Sequence, residues 1–311
     1  MGDRIAELLG RAGVAPAGPG GEPWAELAGG TYNTLLRVRR DDGGPWCVLK
    51  APPAAGTPGM SHERGLLQNE LTYFRVAAGG PVPEVLYADD DCLLMSELPG
   101  RAWHEAALAP EEVGFLRRQL GSELARVHRV AGPGFGYPGG ALGPLAPDWR
   151  SAFTGMLDAL FADAERYGAW LPRPLDEIRA LTARAAGALD EVTAPAPVHF
   201  DLWEGNLLVD GAPGAYRLSG VIDAERMFFG DPLADLVSLG LFGRAEEDAE
   251  LMAGLGWSGV DAGGRTRLAL YRTYLYTIML TETVPRGSDE EGVRWTREHA
   301  GGALADALAR L

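Results

Sequence analysis

Two aspartates and an asparagine stand close together around one short hairpin. The string His199-Phe200-Asp201-Leu202-Trp203-Glu204-Gly205-Asn206 is followed by Leu-Leu-Val, a turn, and Val221-Ile222-Asp223. Phosphoryl transfer asks a protein for little covalent help and much positioning. It needs a carboxylate beside the attacking hydroxyl and metal ions that neutralise phosphate charge. Asp201 followed by Asn206, with Asp223 ending the next strand, supplies a carboxylate and two oxygen donors of the kind Mg²⁺ accepts alongside phosphates. A metal-dependent hydrolase using Asp201 and Asp223 is the competing chemistry at this point.

Lys50 is the only lysine among 28 basic residues. Together with the heavy Ala, Gly and Pro usage, this suggests a GC-rich coding sequence in which arginine replaces lysine wherever either serves. The lysine that remains then marks a place where a compact ammonium on a flexible stem is needed and a wide planar fork is not.

The elements that must carry these residues follow from pattern. A short helix is expected over Ile5 to Leu9. Leu35 to Arg39 and Trp46 to Lys50 read as an antiparallel pair around the loop Asp41-Asp42-Gly43-Gly44-Pro45, with Lys50 near the end of the second strand. Ser61 is placed to cap a helix from about His62 to Ala78, stopped by Gly79-Gly80-Pro81. Two further strands, Glu84 to Ala88 and Cys92 to Ser96, flank the turn Asp89-Asp90-Asp91. Beyond Leu98-Pro99-Gly100 the chain reads as mostly helical, over about 110–130, 149–168, 174–191, 245–254, 263–284 and 289–310. One β-rich island, Val198 to Ile222, interrupts it.

These motifs resemble the aminoglycoside phosphotransferase and choline kinase-like superfamily of small-molecule kinases. His-x-Asp-x-x-x-x-Asn, a short hairpin and Ile-Asp match its catalytic segment. Gly230-Asp231-Pro232-Leu233-Ala234-Asp235-Leu236 is similar to its Gly-Asp-Pro-x-x-Asp-Leu stretch. The resemblance covers roughly residues 24–285. It implies an α+β, bilobal protein kinase-like fold, with a small antiparallel sheet and one helix in the first lobe and a larger helical second lobe. The nucleotide-binding lobe is expected over 1–98, including a hinge at 95–98. The helical lobe is expected over 99–311, with the catalytic loop at 199–206.

Residue by residue, the resemblance implies Asp201 as catalytic base, Asn206 and Asp223 as Mg²⁺ ligands, and Lys50 on the phosphates of ATP or GTP. Glu70, on the helix after Lys50, is implied as its partner in preference to Glu63. The hinge residues Ser96, Glu97 and Leu98 would meet the adenine edge, through backbone groups of Ser96 and Leu98. The turn Gly29-Gly30-Thr31-Tyr32-Asn33 would cover the phosphates through Thr31 and Asn33, although it lacks the protein-kinase glycine pattern. Phe200 and Trp203 stand where the family often has Gly and His. The string Asp201-Leu202-Trp203 with Gly205-Asn206 also resembles fructosamine kinases, whereas the later Gly-Asp-Pro stretch suits antibiotic kinases better. The implied reaction is ATP-dependent phosphorylation of a small-molecule hydroxyl, an antibiotic first and a ketosamine, choline or homoserine type of metabolite second. A silent nucleotide-binding module would be expected to have lost one of Lys50, Asp201, Asn206 and Asp223.

His199 is expected to brace the loop and His128 to pack beneath it, with Asp231 and Asp235 as structural caps. Glu246-Glu247-Asp248-Glu250 is either a solvated face or a rim for a cationic acceptor. With 46% hydrophobic and 23% charged residues the 311-residue chain can build a normal core. The net charge of −15 argues against a nucleic-acid partner and attracts cations. Cys47 and Cys92 are too few for a disulfide framework. No apolar run is long enough to span a bilayer, and Met1 to Glu7 lacks a signal core, so no membrane partner and a cytoplasmic location are expected. The assembly is expected to be a monomer or homodimer.

Overall fold

The computed structural model describes residues 2–14, 24–27, 32–39 and 44–311. The turn at Gly29, Gly30 and Thr31, and the hairpin-loop residues Asp41, Asp42 and Gly43, lie outside the described residues.

Helix α1 (Gly2–Arg11) precedes the strands β1 (Trp24–Glu26), β2 (Thr34–Arg39) and β3 (Trp46–Ala51). Helix α2 (Leu66–Val76) leads to β4 (Val85–Ala88) and β5 (Leu93–Ser96). The five strands form one antiparallel sheet in the order β1-β2-β3-β5-β4. Val38, Cys47, Leu49 and Cys92 point into an apolar core that Ile5, Leu8 and Leu9 of α1 close from one side. Both cysteines are buried there and neither forms a disulfide. Lys50 lies opposite Leu35 on one neighbouring strand and Leu93 on the other, so it sits in the centre of the sheet and not at an edge.

The rest is mainly helical. β6 (Arg101–Ala102), α3 (Pro110–Val127), α4 (Trp149–Tyr167) and α5 (Leu175–Ala185) are followed by the strands β7 (Ala196–Val198), β8 (Leu207–Asp210), β9 (Arg217–Val221) and β10 (Phe228–Gly230). The chain ends in α6 (Asp235–Leu239), α7 (Ala249–Leu255), α8 (Ala262–Glu282) and α9 (Glu290–Leu308). β6-β8-β9 make a three-stranded sheet and β7 pairs with β10, so the polar hairpin is held on both sides by strands. Trp149, Phe153, Phe200, Phe228 and Tyr271 stack as one aromatic core under it. An antiparallel sheet followed by helices is an α+β arrangement.

The helix after β3 departs from expectation. Ser61 does not cap it: its backbone N–H and its hydroxyl donate to Asp163 on α4, at 2.6 and 2.8 Å. Residues 61–63 turn once as a 3₁₀ helix, and Gly65, in the left-handed region at φ 87°, restarts the chain as α2. A Cβ at Gly65 would fall 2.7 Å from the Gly139 carbonyl oxygen, so the restart needs glycine for space as well as for φ.

Candidate active site

Glu70 lies one helical turn into α2 and is fully buried beneath the sheet. Its Oε2 stands 2.8 Å from Lys50 Nζ. The rival partner, Glu63, is turned away and pairs with Arg286. Two more carboxylates reach the same ammonium, Asp223 Oδ1 and Glu225 Oε2, each at 2.6 Å. Burial alone would push the Lys50 pKa down, but Asp223, Glu225 and Glu70 carry it well above the usual lysine value. Burial raises Glu70 to about 7 even against the pull of Lys50. For Asp223, burial is outweighed by Lys50, and its carboxyl stays below the usual range. The ammonium is thus fixed as a cation, and Asp223 as an anion beside it.

The catalytic-loop string is held both by residues of α6 and by its own side chains. Asp235 Oδ1 accepts the N–H groups of His199 and Phe200, both at 2.9 Å. Its other oxygen lies 2.8 Å from His128 Nε2. Ser238 Oγ accepts from Leu202 N–H at 3.0 Å. His199 Nδ1 accepts the Asp201 N–H at 3.2 Å, which leaves Nε2 protonated to donate to the Ile222 carbonyl at 3.1 Å. Burial holds His199 below its ordinary pKa, so the ring is a neutral brace. Phe200 and Asp223 both adopt left-handed backbone, at φ 64° and 61°. Non-glycine residues pay for that conformation in strain, and it recurs where a side chain must be aimed.

Asp201 is aimed at the cleft with 23% of its side chain exposed and lies 3.8 Å from Arg226 Nε. Burial raises its pKa to about 7. Arg226 pulls against this, while Asp223, Glu225 and Glu282 add to it. Asn206 commits its amide nitrogen to the Asp201 carbonyl at 2.9 Å, so its Oδ1 is the atom left to meet a cation. The Asn206 carbonyl accepts from Ile222 N–H at 3.0 Å, which ties the loop to the residue before Asp223. Asn206 Oδ1 and the Asp223 carboxylate, 42% of whose side chain is exposed, are hard oxygens fitted to Mg²⁺. Glu70, Asp223 and Glu225 also cluster within 4.8 Å of one another, but the Lys50 ammonium is the cation among them.

At the hinge, Ser96 N–H donates to the Glu84 carbonyl at 2.9 Å and Glu97 N–H to the Trp46 carbonyl at 3.2 Å. The Glu97 carboxylate pairs with Arg37 at 2.7 Å. The backbone donors of Ser96 and Glu97 are therefore spent inside the sheet. Asn33 Nδ2 donates to Glu225 Oε2 at 2.5 Å, which brings Asn33 onto the Lys50 cluster. Thr31 lies outside the described residues.

Sequence reasoning missed four of the charged groups here. Glu225 and Arg226 follow Asp223 directly, so the run Asp-Ala-Glu-Arg was a readable signal. Glu282 pairs with Arg226 at 2.9 Å, and Arg286 lies over the Tyr32 ring at 3.8 Å. Both sit at the end of α8 or just after it and have no local motif. The acidic run at 246–250 is not a free rim for a cationic acceptor. Glu246 pairs with Arg272, Glu247 with Arg244 and Glu250 with Arg118, and Asp248 caps α7.

A family model described as the phosphotransferase enzyme family matches residues 23–271. Viomycin phosphotransferase from Streptomyces vinaceus is 29% identical over 204 residues, covering 64% of this chain and 66% of that protein, just under two thirds of its length. Among solved structures, the gentamicin complex of APH(2")-IIa is similar with a TM-score of 0.66 at 16% identity, covering 97% of each chain. A ternary complex of aminoglycoside phosphotransferase APH(4)-Ia with AMP-PNP and hygromycin B has a TM-score of 0.62 at 17% identity, over 92% of this chain and 93% of that one. A choline/ethanolamine kinase family protein from Mesorhizobium loti has a TM-score of 0.60 at 22% identity, over 98% and 94%. At such identities the structural likenesses carry the bilobal kinase-like fold.

Proposed function

The chain belongs to the phosphotransferase enzyme family, and on that premise we propose that it moves the γ-phosphate of ATP onto a hydroxyl of a small-molecule antibiotic. The observation that carries this reading is the convergence of Lys50, Glu70, Asp223, Asn206 and Asp201, drawn from four separate segments, on one cleft. A hydrolase would use the aspartates but has no need of a buried Lys–Glu pair under a β-sheet.

In this reading Lys50, held by Glu70, exchanges its contact with Asp223 for oxygens of the α- and β-phosphates. Asn206 and Asp223 hold Mg²⁺, which supplies neutralisation of the phosphate charge. Asp201 accepts the acceptor's hydroxyl proton as the new O–P bond forms and the bond from the γ-phosphorus to the β–γ bridging oxygen breaks, that electron pair leaving with ADP. The raised Asp201 pKa suits a group that must take a proton near neutral pH. Asn33, held by Glu225, stands beside the same point and would meet the phosphates there. The antibiotic acceptor is supported by the viomycin phosphotransferase likeness. The metabolite reading rests on the string Asp201-Leu202-Trp203 with Gly205-Asn206 and on fold likeness at 22% identity.

The test is ADP release and product mass with viomycin, hygromycin B and gentamicin as acceptors, ATP and GTP being compared as donors. A product heavier by one phosphoryl group is expected with at least one acceptor. ADP release that no acceptor stimulates would remove this reading.

A further inference from the structure

Asn69 is fully buried on α2, one residue before Glu70, and both ends of its amide reach the helical part. Its Oδ1 accepts the Gly139 N–H at 2.8 Å, and its Nδ2 donates to the Glu225 carbonyl at 3.1 Å. Only one orientation of the amide meets an N–H and a carbonyl in this way, so the two bonds fix it. Glu225 follows Asp223 by two residues, and both carboxylates stand 2.6 Å from Lys50 Nζ. One side chain therefore ties the helix that carries Glu70 to the turn that carries the other two partners of the ammonium.

The rest of α2 is tied in the same direction. At its start Gly65 and Gly139 meet backbone to backbone. A Cβ on Gly139 would fall 2.5 Å from the Gly65 carbonyl oxygen and 2.8 Å from Asn69 Oδ1. At its end Arg126 of α3 donates to the Ala77 and Ala78 carbonyls, at 2.7 and 3.3 Å. Leu67, Leu71 and Phe74 join the continuous apolar core of Leu120 and Phe200. The core that α1 closes against the sheet holds no residue of α2 among the described residues. The sheet reaches α2 through Leu93 and Met95 of β5, which share its core, and through the Lys50–Glu70 pair. A buried amide with both ends satisfied rigidifies the contact that it bridges.

We infer that Asn69 is a positioning residue for phosphoryl transfer, which makes α2 part of the helical body and sets Glu70 in register with Asp223 and Glu225 before any nucleotide arrives. Lys50 is then presented to the phosphates by a helix that does not swing during turnover. The inference rests on the phosphotransfer reading for what Lys50 meets. Without the tie, α2 also populates positions in which Glu70 leaves Lys50. Nucleotide binds the registered fraction alone, and its apparent Kd rises by the inverse of that fraction.

The experiment measures AMP-PNP binding with Mg²⁺ by calorimetry, and viomycin turnover, at a temperature where circular dichroism shows each protein folded. The variants are Asn69→Ala, Gly139→Ala, Glu70→Gln and Asn69→Ala combined with Glu70→Gln. Gly139→Ala wedges the same contact with the amide kept, and carries the test should Asn69→Ala fail to fold. Each of these two should raise the Kd for AMP-PNP about tenfold and lower kcat by about as much. Their KM for viomycin should stay within about twofold, because the tie lies on the nucleotide side. In the Glu70→Gln background, Asn69→Ala should change the Kd by less than about threefold, since the register it sets has nothing left to align. A residue that only supports the fold would add its whole effect there. That result, or a Kd within about twofold of wild type in the variants that fold, would overturn the role of Asn69. A wild type that binds AMP-PNP and phosphorylates no acceptor would overturn phosphotransfer, and the Kd comparison would still decide on Asn69. No saturable AMP-PNP binding to the wild type would overturn both.

Discussion

Lys50 is the residue on which most of the cleft's charge balance turns. Three carboxylates hold it as an ammonium, and only one of them, Glu70, lies on the sheet side, within the fold's own core. Lys50→Arg keeps the charge but replaces a point donor by a planar fork in a fully packed slot. Its kcat should fall by about two orders of magnitude or more, as when a preorganised charge at a transition state is displaced. Rate constants within a factor of two of wild type would mean the ammonium is a structural counter-ion only. Asp201→Ala removes the base and leaves the nucleotide contacts, so turnover should drop ~10²–10⁴-fold while ATP affinity is kept. Parallel loss of ATP binding would place Asp201 in the nucleotide site instead. His62 offers a pH signature. Burial, aided by Arg226 and Arg286, lowers its pKa to about 3. The folded ring stays neutral while the unfolded chain takes up a proton below ~6.5. Stability from this residue is therefore complete above that pH and is lost as pH falls toward 3, at ~1.4 kcal/mol per pH unit. Denaturation midpoints of the wild type and His62→Gln between pH 7 and 4 should converge as the pH drops. Parallel curves would show that His62 titrates in the fold as it does outside.

Among the elements, the catalytic loop depends on α6. Asp235 satisfies two buried N–H groups and the His128 ring at once. Asp235→Ala leaves those donors unpaired, at ~1–3 kcal/mol each. A fall of several degrees in Tm is expected, with a further loss of kcat because Asp201 is no longer aimed. A variant as stable and as active as wild type would show that the loop holds itself. The loop and its brace were legible in the sequence because they are local: His199 to Asn206, Asp223, and the Asp231-to-Asp235 stretch carry fixed spacings. Lys50 was legible through its strand and its rarity, and Glu70 through its place on the next helix. What could not be read is long-range. Glu282 and Arg286 reach the cleft only because α8 packs back across the catalytic loop. Ser61 looked like a helix cap, because nothing in the local pattern reveals that Asp163, on α4, competes for it.

For the whole molecule, the sheet and the helical part are clasped around the cleft by contacts that cross it: Asn33 to Glu225, Lys50 to Asp223, and Arg286 to Glu63 and the Tyr32 ring. A ligand that bridges both parts should stabilise them together. ATP with Mg²⁺ should raise Tm in a concentration-dependent way, by ~2.7 kcal/mol in stability at a hundredfold excess over Kd. Adding EDTA should remove most of that gain. The most direct test is a crystal structure with a non-hydrolysable ATP analogue and Mg²⁺. The account predicts Asn206 Oδ1 and an Asp223 oxygen on the ion at ~2.0–2.1 Å, with Lys50 Nζ moved from Asp223 onto a phosphate oxygen while still paired with Glu70. A triphosphate bound elsewhere, or an ion held without Asn206 and Asp223, would contradict it.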